Sequence, residues 1–131
     1  MALNPPARAY GLAFAGGALG TLARMSVQFF LNNAASLFVV NLLGAGFLGW
    51  VNGKSQHPET PRFVSAGKKW FWGAGFAGGF TTMSGLAMAF VLMVGNFGVM
   101  AGLVYILVQF VAGLFAYALG FKLGKGAWPS V

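Results

Sequence analysis

The chain has 131 residues, 58% of them hydrophobic and 7% charged, with a mean hydropathy of +0.76 and a net charge of +7, a composition too apolar for a soluble domain of this length and suited to a bilayer. It contains no cysteine, which excludes a disulfide framework, a thiolate metal centre and a cysteine nucleophile. The basic residues flank apolar stretches, where topology and lipid headgroups account for them better than nucleic acid does. There is room for about four helices of roughly twenty residues with short connections, so residues 1–131 read as a single all-α transmembrane domain with no separate soluble module.

The first helix is expected over about residues 9–30, started by Pro5-Pro6 and stopped by Asn32-Asn33. Its apolar run is as long as a full span and lacks a convincing small-residue cleavage site, so it reads as a retained helix and not a signal peptide. Gly16 and Gly20 form a small-xxx-small pair suited to close helix contact. Arg24, near the end of the span, must snorkel, pair, or face a polar cavity.

A second helix is expected over about residues 36–51, with Asn41 as its one buried amide candidate. At mid-depth that amide must bond another helix or a passing ligand, and interhelical glue is the plain alternative. The stretch from Asn52 to Gly67, holding Lys54, His57, Glu59 and Arg62 between Pro58 and Pro61, reads as a polar loop outside the bilayer.

The third apolar segment, about residues 70–94, is the unusual one. Glycine is a poor helix former and threonine competes for backbone partners, so Gly78-Gly79-Phe80-Thr81-Thr82 is where a helix breaks most readily. A break at mid-membrane leaves peptide groups that protein, water or an ion must satisfy, and it marks a site more often than a defect. The alternative is a glycine stripe for close packing. Gly95-Asn96 is expected to turn the chain into a last helix, about residues 99–121, where Tyr105, Gln109, Gly113 and Tyr117 recur every four residues on one face. That face could border a water-filled path or an interhelical hydrogen-bonded seam.

Glu59 is the only acid, so no carboxylate lies in any expected span to exchange a proton for a substrate or to bind a cationic drug. A small multidrug-type transporter therefore fails on chemistry. Hydrolysis fails too, because Ser26 and Ser84 have no base beside them and no acid to orient one. His57 lacks a second ligand at metal-binding spacing and reads as solvated. With four spans, Arg8, Lys54, Arg62, Lys68, Lys69, Lys122 and Lys125 all fall on one side, and the turns around Asn32 and Asn96 carry no charge. This bias predicts a multi-pass protein of the inner (plasma) membrane with both termini in the cytoplasm.

With these residues in view, nearly the whole chain resembles the small four-helix fluoride channels of the Fluc or CrcB family. The matching pieces are Gly16-Gly17-Ala18-Leu19-Gly20 followed by Arg24, then Val40-Asn41-Leu42-Leu43-Gly44 with Phe47 and Gly49, then Gly75-Phe76-Ala77-Gly78-Gly79-Phe80-Thr81-Thr82 with Ser84. The resemblance implies an antiparallel dimer of inverted subunits, a structural sodium ion held by backbone carbonyls at the two breaks, and narrow fluoride pores. On the matching positions, Gly78 and Thr81 would turn carbonyls to sodium, Asn41 would donate to fluoride, and the pore would continue along Ser84, Tyr105 and Gln109. Arg24 falls to an anion vestibule or to structural pairing.

The departures matter as much. Where the family reads Phe-Ser-Thr-Phe after the two threonines, this chain reads Met83-Ser84-Gly85-Leu86, so Met83 and Leu86 replace both rings, and neither side chain reproduces the positive ring edge that meets a dehydrated anion. The family's threonine four residues before the asparagine is Leu37, and its helix-four serine track reads Gln109 and Gly113. A one-sided charge distribution also argues against one chain inserting both ways. The expectation is a subunit of a passive fluoride channel, an obligate heterodimer with an inverted related subunit. The alternative is a non-conducting partner that completes the dimer and its sodium site.

Overall fold

The computed structural model describes residues 6–31, 34–56 and 66–126. The Asn32-Asn33 stop and the loop residues His57, Glu59 and Arg62 lie outside the described residues. Among those described, every element is helical. Helix α1 covers Ala7–Phe30 and α2 covers Ala34–Ser55. Helix α3, residues 66–80, starts with Ala66–Lys68, widens to i→i+5 winding over Lys69–Ala77 and closes with Gly78–Phe80. Helices α4 (Met83–Phe97) and α5 (Val99–Lys125) are the last of the described elements.

Among the described residues, three stretches are long and apolar enough to cross a membrane: Ala35–Ser55, Lys69–Phe97 (α3 and α4 together) and Val99–Lys125. The first helix is not among them. With 24 residues it has the length, but Arg8, Arg24 and Gln28 dilute its apolar character. It is nevertheless held firmly against α3. A Cβ on Gly16 would overlap the Phe71 carbonyl, one on Gly20 the Phe76 carbonyl, and one on Gly79 the Gly17 carbonyl. Rising residue numbers meet rising residue numbers, so the two helices run parallel, backbone against backbone.

The same device joins α2 to α5. A Cβ on Gly49 would overlap the Tyr117 carbonyl and one on Gly120 the Gly46 carbonyl, and the register continues through Gly53 with Phe121 and Gly124 with Trp50. Farther out, Asn52 Nδ2 donates to the Tyr117 hydroxyl at 3.1 Å. Between the two helix pairs lies an aromatic cluster, in which Phe47 of α2 meets Trp72 and Phe76 of α3 edge-on at 6.1 and 5.4 Å and Phe76 stacks on Phe80 at 5.9 Å.

The turn expected at Gly95-Asn96 lies farther on. Helix α4 runs through both residues to Phe97, and Asn96 Nδ2 donates back to the Leu92 carbonyl at 2.9 Å, inside the helix. Gly98 makes the turn, because its φ of 93° is the left-handed conformation that a side chain disfavours. Arg8, Lys54, Lys68, Lys69, Lys122 and Lys125 occupy the start of α1, the end of α2, the start of α3 and the end of α5. Since α1 is parallel to α3 and α2 to α5, these cations gather at one end of the bundle.

Candidate functional site

Helix α3 stops after Phe80. Thr81 and Thr82 adopt extended backbone, with ψ of 156° and 116°, before α4 restarts at Met83. Gly78 and Gly79 stay helical. The Thr81 hydroxyl donates to the Ala77 carbonyl at 2.9 Å, a carbonyl already bonded by Thr81 N–H at 3.0 Å, which is the competition for backbone partners that threonine brings to a helix. In a continuous helix Thr82 N–H would reach the Gly78 carbonyl; here it donates to Asn41 Oδ1 at 2.8 Å. Asn41 Nδ2 in turn donates to the Thr82 carbonyl at 3.2 Å. The carboxamide of α2 thus takes the place of a neighbouring peptide group, and its orientation is set, since turning it over would oppose donor to donor.

The restart is capped from within. Thr82 Oγ1 accepts from Gly85 N–H at 3.0 Å and pairs with Ser84 Oγ at 3.1 Å, an N-cap that satisfies one of the first-turn amides. On the other side of the junction, the Gly78 carbonyl has lost its helical donor and the Gly79 carbonyl accepts from Thr21 Oγ1 of α1 at 3.4 Å. The junction therefore sets the negative end of one helix beside the positive end of the next, a pairing suited to holding a cation with carbonyls and an anion with amides.

A cavity of about 380 Å³ adjoins the break, open on one side, and its wall includes Asn41, Thr81, Thr82, Met83, Leu86 and Gln109. Both replaced ring positions thus lie in the wall, Leu86 buried and Met83 71% exposed. Gln109 is 5% exposed and its Oε1 has no hydrogen-bond partner. Ser84 and Tyr105 are not in this wall: Ser84 is turned to Thr82, and Tyr105 lies one helical turn before Gln109 on the same face of α5. Gly78 lies outside the cavity with an open face, and a Cβ there would meet nothing within 4 Å. Arg24 follows Gly20 by one turn on α1, which puts it level with the restart of α4, and its Nε is buried without a partner.

Thr82 was expected from the sequence as part of the break but not as a site residue, although a threonine directly before an apolar helical run is an N-cap signal. Of the α5 face read from the sequence, Gln109, Gly113 and Tyr117 line the cavity, whereas the wall position Phe110 was hidden, because only the packing of α5 against α2 and α4 decides which of its other residues face the break.

The family model described as CrcB-like protein, Camphor Resistance (CrcB), matches residues 11–121. Similar proteins include the fluoride-specific ion channel FluC 2 of Leifsonia xyli subsp. xyli, 34% identical over 119 residues that cover 86% of this chain and 81% of that protein. The fluoride-specific ion channel FluC of Ruegeria pomeroyi is 31% identical over 127 residues, 95% of this chain and 96% of that protein. Fluoride-specific ion channel FluC 1 of Corynebacterium glutamicum is 35% identical over 75 residues, 56% of this chain and 62% of that protein.

Proposed function

The chain belongs to the CrcB (Fluc) family of fluoride channels, membrane proteins that are channels and not enzymes, and from that membership we propose that it is one subunit of a passive, fluoride-selective channel that lets fluoride leave the cell. The observation that carries this reading is the Asn41–Thr82 splice, which holds an apolar span open at its junction and keeps an ion-binding arrangement of peptide groups in place. Transport is passive, because the single acid of the sequence, Glu59, lies outside the apolar stretches and no intramembrane carboxylate exists to couple protons.

In this reading the break sits at mid-membrane, where an inverted subunit meets it. Asn41 keeps one Nδ2 hydrogen for the anion after Thr82 has taken the other. Gln109 lies beside it in the wall, with Tyr105 and Ser84 toward the approaches. Sodium is a hard cation that takes oxygen ligands, and the residues fit it: Gly78 has a carbonyl released from its helix and an open face for a partner's approach, and Thr81 has an extended backbone that turns its carbonyl away from the helix axis. When bound, sodium would supply positive charge at the subunit interface. Arg24, level with the restart, would attract anions toward the amide end.

The partner is proposed to be a related subunit of opposite orientation. The cations gathered at one end of this bundle favour a single orientation with cytoplasmic termini. The numbered names FluC 1 and FluC 2 among the relatives accord with pairs of such subunits. A second reading, in which this chain completes the dimer without conducting, is favoured by Met83 and Leu86, which line the cavity with apolar groups in place of ring edges. Fluoride efflux from liposomes separates the two. The chain with its partner is expected to conduct, and Asn41→Ala in this chain is expected to lower that efflux at least tenfold, a loss of about 1.4 kcal/mol or more. Unchanged efflux would leave this chain only the structural role, and full efflux from the chain alone would sink the heterodimer.

A further inference from the structure

Asn41 and Gln109 bring two carboxamides to one cavity, and their hydrogen-bonding states differ. Asn41 is held in one orientation: its oxygen accepts from Thr82 N–H and the Thr82 carbonyl takes one of its hydrogens, so one Nδ2 hydrogen is left as a free donor. Gln109 is almost fully buried, lines the same cavity, and has an oxygen with no partner. An unsatisfied acceptor at such depth is costly. A bare anion would engage the Gln109 N–H and leave that oxygen orphaned, whereas a cation would do the reverse. Water satisfies both ends. No wall side chain bonds that oxygen: the Thr81 hydroxyl is given to the Ala77 carbonyl and Tyr117, which pairs with Asn52, lies two helical turns beyond Gln109, while the open cavity of about 380 Å³ has room for water beside the amide.

We propose that Gln109 is a specificity-determining residue of this cavity: it holds a water molecule that an anion at Asn41 retains as part of its hydration shell, so the passing species is a partly hydrated halide. This rests on the reading of the cavity as part of a fluoride pore. Discrimination between fluoride and chloride arises from the difference between what each ion loses in shedding water and what the protein returns, and a retained water narrows that difference. Gln109 therefore speeds entry and relaxes selectivity, and an apolar residue of the same length does the opposite.

The full chain in lipid nanodiscs, with ¹⁵N-labelled glutamine side chains, tests the site directly. It has three glutamines, Gln28, Gln56 and Gln109, and Gln109→Met identifies the signal that belongs to the cavity. A cross-peak between the Gln109 side-chain amide and water is expected, with a larger shift on titration with sodium fluoride than with sodium chloride. In liposomes holding the chain and its partner, Gln109→Met is expected to slow fluoride efflux and to raise the fluoride-to-chloride efflux ratio at least about threefold, while Gln109→Ser, which keeps a water-binding group, stays near the parent ratio. An amide signal without a water contact, or an unchanged ratio in a folded Gln109→Met protein, overturns the proposal. A hydrated, fluoride-responsive amide in preparations that conduct no fluoride supports the water site and overturns the channel reading instead.

Discussion

The α2–α5 seam and the α3–α4 junction are both built around glycine, yet the first stays helical throughout and the second opens. In the seam, Gly46, Gly49, Gly53, Gly120 and Gly124 let two backbones touch, and the side-chain bond from Asn52 to Tyr117 ties the two helices together without replacing a backbone partner of either. In α3, Gly75 and Gly79 perform the same service against α1, and Gly78 keeps φ −63° and ψ −41°, ordinary helix. The junction opens three residues later, where Thr81 has a hydroxyl to bond its own turn and Asn41 waits with a ready-made peptide mimic for Thr82. Glycine lets helices approach, whereas the break needs substitute partners for the backbone groups it releases.

That contrast can be broken at its polar side first. Asn41→Leu leaves the buried Thr82 N–H without a partner, for which a loss of about 1–3 kcal/mol is expected together with loss of fluoride efflux; reversible unfolding in mixed micelles and a fluoride electrode measure the two. Retained efflux would mean that the junction holds itself open unaided. The seam is the matching control. Gly120→Ala sets a Cβ against the Gly46 carbonyl, and overpacking of about 1–3 kcal/mol, offset by a gain of about 1 kcal/mol in helix propensity, is expected to lower stability while efflux per folded molecule stays unchanged. A selective effect on fluoride would assign the seam a part in the site. Smallest is Gly78→Ala, where a Cβ meets nothing in this chain. Stability of the isolated chain is expected to hold or to rise by up to about 1 kcal/mol, whereas dimer formation, followed by cross-linking in membranes, should fall. Equal dimerisation would remove Gly78 from the proposed contact.

Much of this was legible in advance, for reasons that differ by residue. Gly16 and Gly20 announced a close helix contact by spacing alone, and α1 meets α3 there. The break was expected across Gly78-Gly79-Phe80-Thr81-Thr82, and the backbone leaves the helix only at the last two, since Gly78 and Gly79 have no competing hydroxyl. Gly95-Asn96 looked like a turn because both residue types favour one, yet a glycine three residues on took the left-handed position and the helix continued to meet it. Asn41 offered an amide in need of a partner; that its partner is the Thr82 peptide follows only from α2 lying against the junction.

The amino-acid sequence determined the membrane habitat, the helical class, the absence of an intramembrane acid and the concentration of positive charge, because each depends on composition and on periodicity within one segment. Tertiary structure alone decided that Asn41 closes onto Thr82, that Met83, Leu86 and Gln109 share one cavity, and that Ser84 and Tyr105 stand outside it. The reason is geometric: a residue's place on its own helix is written locally, but which helix it faces depends on glycine contacts made many residues away, between Gly16, Gly20 and α3 and between Gly49, Gly120 and their opposite backbones.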